Sequence, residues 1–245
     1  MDTFWTHPDD GRQGIGFGQF SLTHFFLIFL TAIFVAIIIK KYVDSDASSR
    51  LKMRKTIAIY LLVSEVFKLI VLGVKGLELK EYLPLEACSF AAYTIIIDAF
   101  TEDQKFWSKI LLYLFFAGAL MALVFPTCVV LPVFNYFTIH LFVFHGLIVA
   151  YALIRFVAKE VEMDYMSLWK CVLVTLILVI IIYGVNILLG SNYMFLMDTY
   201  DNYLLNIVWN ITGGGLLYDV GFVVLCCIIV HIFYLVFKMI SKVIA

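Results

Sequence analysis

Seven runs of apolar residues decide what this chain can become, at approximately 21–41, 56–74, 83–100, 108–125, 133–157, 168–190 and 216–240. A helix of about 20 residues crosses the roughly 30 Å of hydrocarbon in a bilayer, and each run approaches or exceeds that length. Membrane β-strands would instead show segments of about ten residues alternating apolar and polar. FFLIFLTAIFVAIII (25–39) and CVLVTLILVIIIY (171–183) do not alternate. Helices satisfy their own backbone polar groups in lipid, so helices are the expected spanning element. Composition agrees: 64% of residues are hydrophobic and 14% charged, against about 45–50% and about 25% in soluble domains. The expected fold class is all-α: a polytopic, seven-helix transmembrane bundle forming one domain over residues 1–245. The connections are too short for a separate soluble domain, and no internal repeat is evident.

Lysine and arginine set the expected orientation. With the N-terminus outside, the inner segments hold Lys40, Lys41, Arg50, Lys52, Arg54, Lys55, Lys105, Lys109, Arg155, Lys159, Lys170, Lys238 and Lys242, and the outer ones only Arg12, Lys75 and Lys80. The positive-inside rule then predicts an outside N-terminus and a cytoplasmic C-terminus. The first twenty residues are too polar, and lack the basic start, for a signal peptide, so the first span is read as a retained anchor. The net charge of −1 and the lack of a basic, aromatic surface give no reason to expect a nucleic-acid partner. No pattern specifies an oligomeric state. The five cysteines show no C-x-x-C spacing, and neither a metal nor a cofactor is expected. Cys171, Cys226 and Cys227 read as small buried hydrophobes. Cys88 and Cys128 share the outer face, which permits a disulfide without supporting one.

Ionisable groups inside spans carry the most information, because each costs roughly 2.5–3.5 kcal/mol near the bilayer centre. Glu65 and Lys68 stand three apart on one helical face. They read as a self-neutralised pair or as the wall of a polar cavity. Asp98, just before the loop TEDQK (101–105), is expected to reach water at the inner surface. The fifth run, PVFNYFTIHLFVFHGLIVAYALI (132–154), concentrates Asn135, Tyr136, Thr138, His140 and His145. Pro132 suits a first helical turn. The two histidines are separated by about 140° around the helix, so one of them at most should face any single site. Asn186, Asp219 and His231 complete the set.

The stretch LPLEACSFAAY (83–93) opens the third run with a carboxylate and a thiol. With Pro84 at the first helical position, Cys88 falls about one turn inside the helix. The positive end of a helix favours a thiolate, the nucleophilic form of cysteine. Glu86 lies about 200° round the helix from Cys88 and need not face the same cavity. A thiol with a facing imidazole is the minimal nucleophile and base for acyl transfer. Depth favours His140 as partner: at about 1.5 Å per residue Cys88 lies about 6 Å below Pro84, while His140 and His145 lie about 12 and about 20 Å below Pro132. That comparison depends on whether the uncharged connection FPTCVVLP (125–132) dips into the membrane. GIGFG (14–18) follows no strand and is not read as a nucleotide loop. TGGG (212–215) reads as a hinge or close-packing element. LLGSNYMFLMDTYDN (188–202), which contains Asn192, reads as an aromatic belt with a loop, or as a lid over an outward cavity.

LPLEACSF, FHGLIV and LLGSNYMFL together resemble the bacterial YwaF-like integral membrane family, over residues from about 20 to 240. That family is similar to eukaryotic transmembrane protein 164 and more distantly to the androgen-induced lipid hydrolases. The resemblance implies a lipid acyltransferase in which a cysteine and a histidine within the membrane move fatty acyl groups between phospholipids. It also implies a bacterial plasma membrane location. Cys88 matches the family cysteine after the L-P-L start, and His145 in FHGLIV matches the family histidine. His140 is kept as an orienting or substitute base. The acidic Glu86 departs from the family pattern. The mechanism expected is attack of Cys88 on a phospholipid acyl ester with His145 as base, then resolution of the thioester by a lysolipid hydroxyl or water. Asn135, Tyr136, Thr138 or Asn192 would donate to the oxyanion. Phospholipid or lysophospholipid is thus the expected partner. The alternative is a non-enzymatic transporter with Glu65, Lys68, Asp219 and the histidines along a polar path.

Overall fold

The computed structural model describes residues 3–8, 14–101 and 105–244. Arg12 and the centre of the TEDQK loop lie outside the described residues. No strand occurs among the described residues. The helices are α1 (Leu22–Val43), α2 (Ala47–Val74), α3 (Ala87–Phe100), α4 (Lys105–Ile110), α5 (Phe116–Val124), α6 (Tyr136–Val157), α7 (Met166–Leu189), α8 (Tyr203–Thr212) and α9 (Gly215–Ile244). A π-helical segment, Leu111–Phe115, joins α4 to α5 in one crossing.

Among the described residues six helices are long and apolar enough to span a bilayer, not seven: the third run yields only the 14 residues of α3. At about 1.5 Å per residue α3 covers about 21 Å, well short of the roughly 30 Å of hydrocarbon. The cause lies in residues 79–86. Leu79–Glu81 form a 3-10 turn, and extended Glu86 is the N-cap of α3. Pro84 is therefore outside the helix, and Cys88 is its second residue rather than one turn in.

Caps explain the other boundaries. Asp46 accepts the Ser49 N–H at 2.7 Å and starts α2 nine residues before its apolar run, so Arg50–Lys55 form a charged turn below the lipid-facing part. Asn135 caps α6 by accepting from Phe137 N and Thr138 N, which leaves Pro132 before the helix instead of in its first turn. The TGGG stretch is a tight turn in which Gly213, Gly214 and Gly215 all have positive φ. It folds α8 back on α9, where a Cβ on Gly221 would meet Val208 Cγ1 at 2.7 Å.

The crossing α4–α5 and helix α6 form the centre, with 56% and 61% of their apolar windows buried. α1 and α9, at 17%, are peripheral and turn Phe25, Phe29, Ile37, Val224, Ile228 and Leu235 outward. That pattern suits hydrocarbon as the surrounding medium. With lipid as apolar as the core, close approach between helices rests on small residues. Gly146 of α6 is such a point, since an added Cβ would lie 2.9 Å from Thr31 Cγ2 on α1. Thr31 cannot turn away freely, because its hydroxyl donates to Leu27 O at 2.9 Å. Gly146→Ala is expected to cost about 1–3 kcal/mol by overpacking, measured as a lower unfolding temperature in detergent. Thr31→Ser should relieve it.

One end of the bundle is tied by charge. Asp98, expected in water, has 0% exposure. It accepts from Ser108 Oγ (2.6 Å), Tyr151 OH (2.6 Å) and Arg155 NH1 (2.5 Å), with Arg54 NH1 at 3.8 Å. Arg155 Nε also pairs with Glu160 at 2.8 Å, and Glu160 accepts from Tyr42 OH. A carboxylate three residues from a loop is pulled inward because two guanidinium groups and two hydroxyls converge on it. Nearby, Asp164 binds Lys109 Nζ at 2.5 Å and accepts from Ser167. Partial burial alone would raise the Asp164 pKa. The Lys109 and Ser167 hydrogen bonds override that effect and hold the carboxyl at about 2. Its folded pKa lies below the unfolded value near ~3.9, so this tie contributes fully above about pH 4 and is lost as pH falls toward 2. Asp164→Asn should flatten that limb of a stability-against-pH profile.

Candidate functional site

At the opposite end, the head of α3 is covered by the connection after α7. Asn186 folds this connection: its Oδ1 accepts from Tyr193 N and Ser191 Oγ, and its Nδ2 donates to Tyr193 O. The turn that follows places Met194 and Phe195 at φ of 57° and 60°, a costly region for non-glycine residues. This geometry lets Met194 N–H donate to Glu86 Oε2 at 2.9 Å. Tyr193 OH accepts from Leu83 N–H at 3.0 Å and donates to Lys80 O. Glu86, an oddity in the sequence, thus ties α3 to the 193–195 turn.

A recess of about 110 Å³ lies between these segments, with Lys68, Glu86, His7, Tyr82, Phe137 and Tyr193 on its wall. Lys68 is paired with Glu65 at 2.9 Å, the self-neutralised arrangement. Cys88 is half-buried and free. So are Cys128, Cys171, Cys226 and Cys227 free of disulfides.

His145 Nδ1 lies 2.8 Å from Leu141 O. A carbonyl only accepts, so Nδ1 carries the proton and Nε2 keeps its lone pair as a base. His140 Nδ1 faces Ser64 Oγ at 3.0 Å. Lys68 and Glu86 share the recess, whereas His140 lines a different one with Ser64, and neither imidazole hydrogen-bonds the Cys88 thiol among the described residues.

The four expected oxyanion donors separate. Asn135 spends its Nδ2 on Thr3 O and Thr6 O and its Oδ1 on the α6 cap. Thr138 donates to Pro132 O. Asn192 Nδ2 donates to Asp198 O. These three are committed to local structure. Tyr136 differs: its ring stacks 5.8 Å from His140, and its buried hydroxyl has no partner among the described residues. Asp219 is buried in α9 with both carboxylate oxygens unpartnered among the described residues. No group of three or more His, Cys, Asp or Glu side chains among the described residues is placed to hold a metal. Sequence reasoning missed Ser64 and the partners of Asp98. The signal for Ser64 was its place beside Glu65 in SEVFK, and for Asp98 the two arginines at the same end of neighbouring spans.

GIGFG is a packing element: Gly16 lies so close to Val129 O and Val130 that a Cβ cannot fit, and Phe17 N and Gly18 N donate to Leu131 O and Val129 O. The connection 125–132 is thereby held by the N-terminal segment.

No curated protein and no solved structure matches the chain. A model of the TMEM164 family matches residues 19–234, which takes in Cys88, His140, His145, the 193–195 turn and every spanning helix up to the final turns of α9. The chain is therefore an integral membrane protein that belongs to the TMEM164 family.

Proposed function

We propose that the protein is an intramembrane lipid acyltransferase or acyl-ester hydrolase acting on phospholipid or lysophospholipid. Family membership is consistent with a lipid-related function in a membrane. The observation that best supports the reading is the state of His145, whose Nδ1 proton is fixed on Leu141 O and whose Nε2 is left basic. Cys88 is the nucleophile and sits in the first turn of α3, at the positive end of the helix. Nucleophile and base are often further apart before substrate arrives than in the reacting complex. The ester carbonyl then enters between thiol and imidazole. Cys88 Sγ bonds to the carbonyl carbon, its proton passes to His145 Nε2, and the glycerol oxygen leaves with that proton. A lysolipid hydroxyl or water resolves the thioester by the reverse transfers.

In the proposed orientation the end holding Arg50, Arg54, Arg155 and Lys159 faces the cytoplasm, and the α3 head faces outward. This requires α3, with the segment 79–86, to complete a crossing.

The thioester is the decisive species. Protein incubated with vesicles of phospholipid carrying a labelled acyl chain should retain label that neutral hydroxylamine removes. No hydroxylamine-sensitive label in wild-type protein that exchanges acyl chains would sink the covalent mechanism.

A further inference from the structure

The groove between α2 and α6 holds chemistry that the Cys88 reading leaves unused. A serine or threonine inside a helix commonly turns its hydroxyl back to the carbonyl four residues earlier. Thr31, Thr56, Thr94 and Thr175 do so here. Ser64 does not, and engages His140 Nδ1 on the neighbouring helix at 3.0 Å. Both residues line a recess of about 310 Å³ whose rim is formed by Tyr60, Val63, Phe67 and Ile139. Those four side chains are exposed. They sit on spanning helices, so the recess opens sideways into hydrocarbon and its natural occupant is a membrane lipid. Tyr136 stacks on the imidazole from the same wall, with its hydroxyl unpartnered among the described residues.

We propose that Ser64 and His140 form a second nucleophile and base pair, separate from Cys88, which accepts an acyl group from a membrane lipid ester in this groove. The step needs the Nε2–H tautomer, in which Nδ1 accepts the Ser64 proton. Ser64 Oγ bonds to the acyl carbonyl carbon as its proton moves to His140 Nδ1. Collapse of the tetrahedral species breaks the bond to the glycerol oxygen, which takes the proton from Nδ1 and departs as a lysolipid alcohol. The acyl chain remains as a seryl ester, which water removes by the same transfers in reverse, so this groove releases a fatty acid and exchanges no acyl chains between lipids. A hydrogen bond serving only to join two helices would predict none of this reactivity.

A long-chain alkyl fluorophosphonate tests the pair on the full chain in phospholipid vesicles, with adducts located by mass spectrometry. An adduct on Ser64 is expected in wild type and in Cys88→Ala, and none in Ser64→Ala. His140→Gln should slow its formation about 100-fold, the lower end of what a positioned base supplies. Monodisperse elution in detergent verifies that each variant is folded. Folded wild type without a Ser64 adduct, or an equal rate in His140→Gln, overturns the proposal. Cys88→Ala separates the two readings, because it removes acyl exchange in one and leaves the Ser64 adduct in the other.

Discussion

Replacing Cys88 by alanine should lower acyl exchange between phospholipid and lysophospholipid in vesicles by about 1000-fold or more, as loss of a covalent nucleophile does elsewhere. The residue sits at the second position of α3, so the change removes one sulfur without disturbing the cap at Glu86 or the bond from Met194 to it. Cys88→Ser should be nearly as inactive, since a hydroxyl there lacks the acidity of a thiol. His145→Gln is expected to lose about 100- to 10,000-fold, the range for a general base. Binding should change little, placing the loss in kcat rather than KM. Unchanged turnover in Cys88→Ala would remove the proposed function at its root. Unchanged turnover in His145→Gln alone would assign the base to another residue.

Asp98→Ala should be the most destabilising single change among those considered. It leaves Arg155 and Arg54 without the buried carboxylate that they face, and strands the hydroxyls of Tyr151 and Ser108. Breaking a buried pair by removing one partner costs about 3–5 kcal/mol, which should appear as a large drop in unfolding temperature in detergent. Asp98→Asn keeps a hydrogen-bond acceptor and should cost less. Asp98→Leu combined with Arg155→Met removes both charges, and its cost should fall below the sum of the separate changes. An additive result would mean that the ion pair contributes no coupling.

Length and apolarity revealed most of the helices, because a spanning helix is written locally in its own residues. The head of α3 was not legible. Pro84 is a local signal for a helix start, whereas the true start depends on Glu86 reaching Met194, 108 residues further on. Asp98 shows the same limit: its position near a loop suggested water, while its partners come from α2, α4 and α6. At the candidate site, the polar residues of 132–154 were visible as a cluster. Their division of labour was not, since Asn135 and Thr138 turn to capping while Tyr136 and His140 face the α2 groove. Ser64 was hidden because a serine in a span usually satisfies itself.

The shortness of α3 explains why two tyrosines guard an otherwise ordinary loop. A helix about 9 Å too short for the bilayer leaves irregular chain at a depth where water is scarce. Bare amide and carbonyl groups there would each cost several kcal/mol unless protein met them. Tyr93 OH donates to Pro84 O at 3.0 Å, and Tyr193 OH serves both Leu83 N–H and Lys80 O. The phenols thus stand in for an aqueous surface, and under the proposed mechanism they would let the thiol sit toward the level of lipid ester groups.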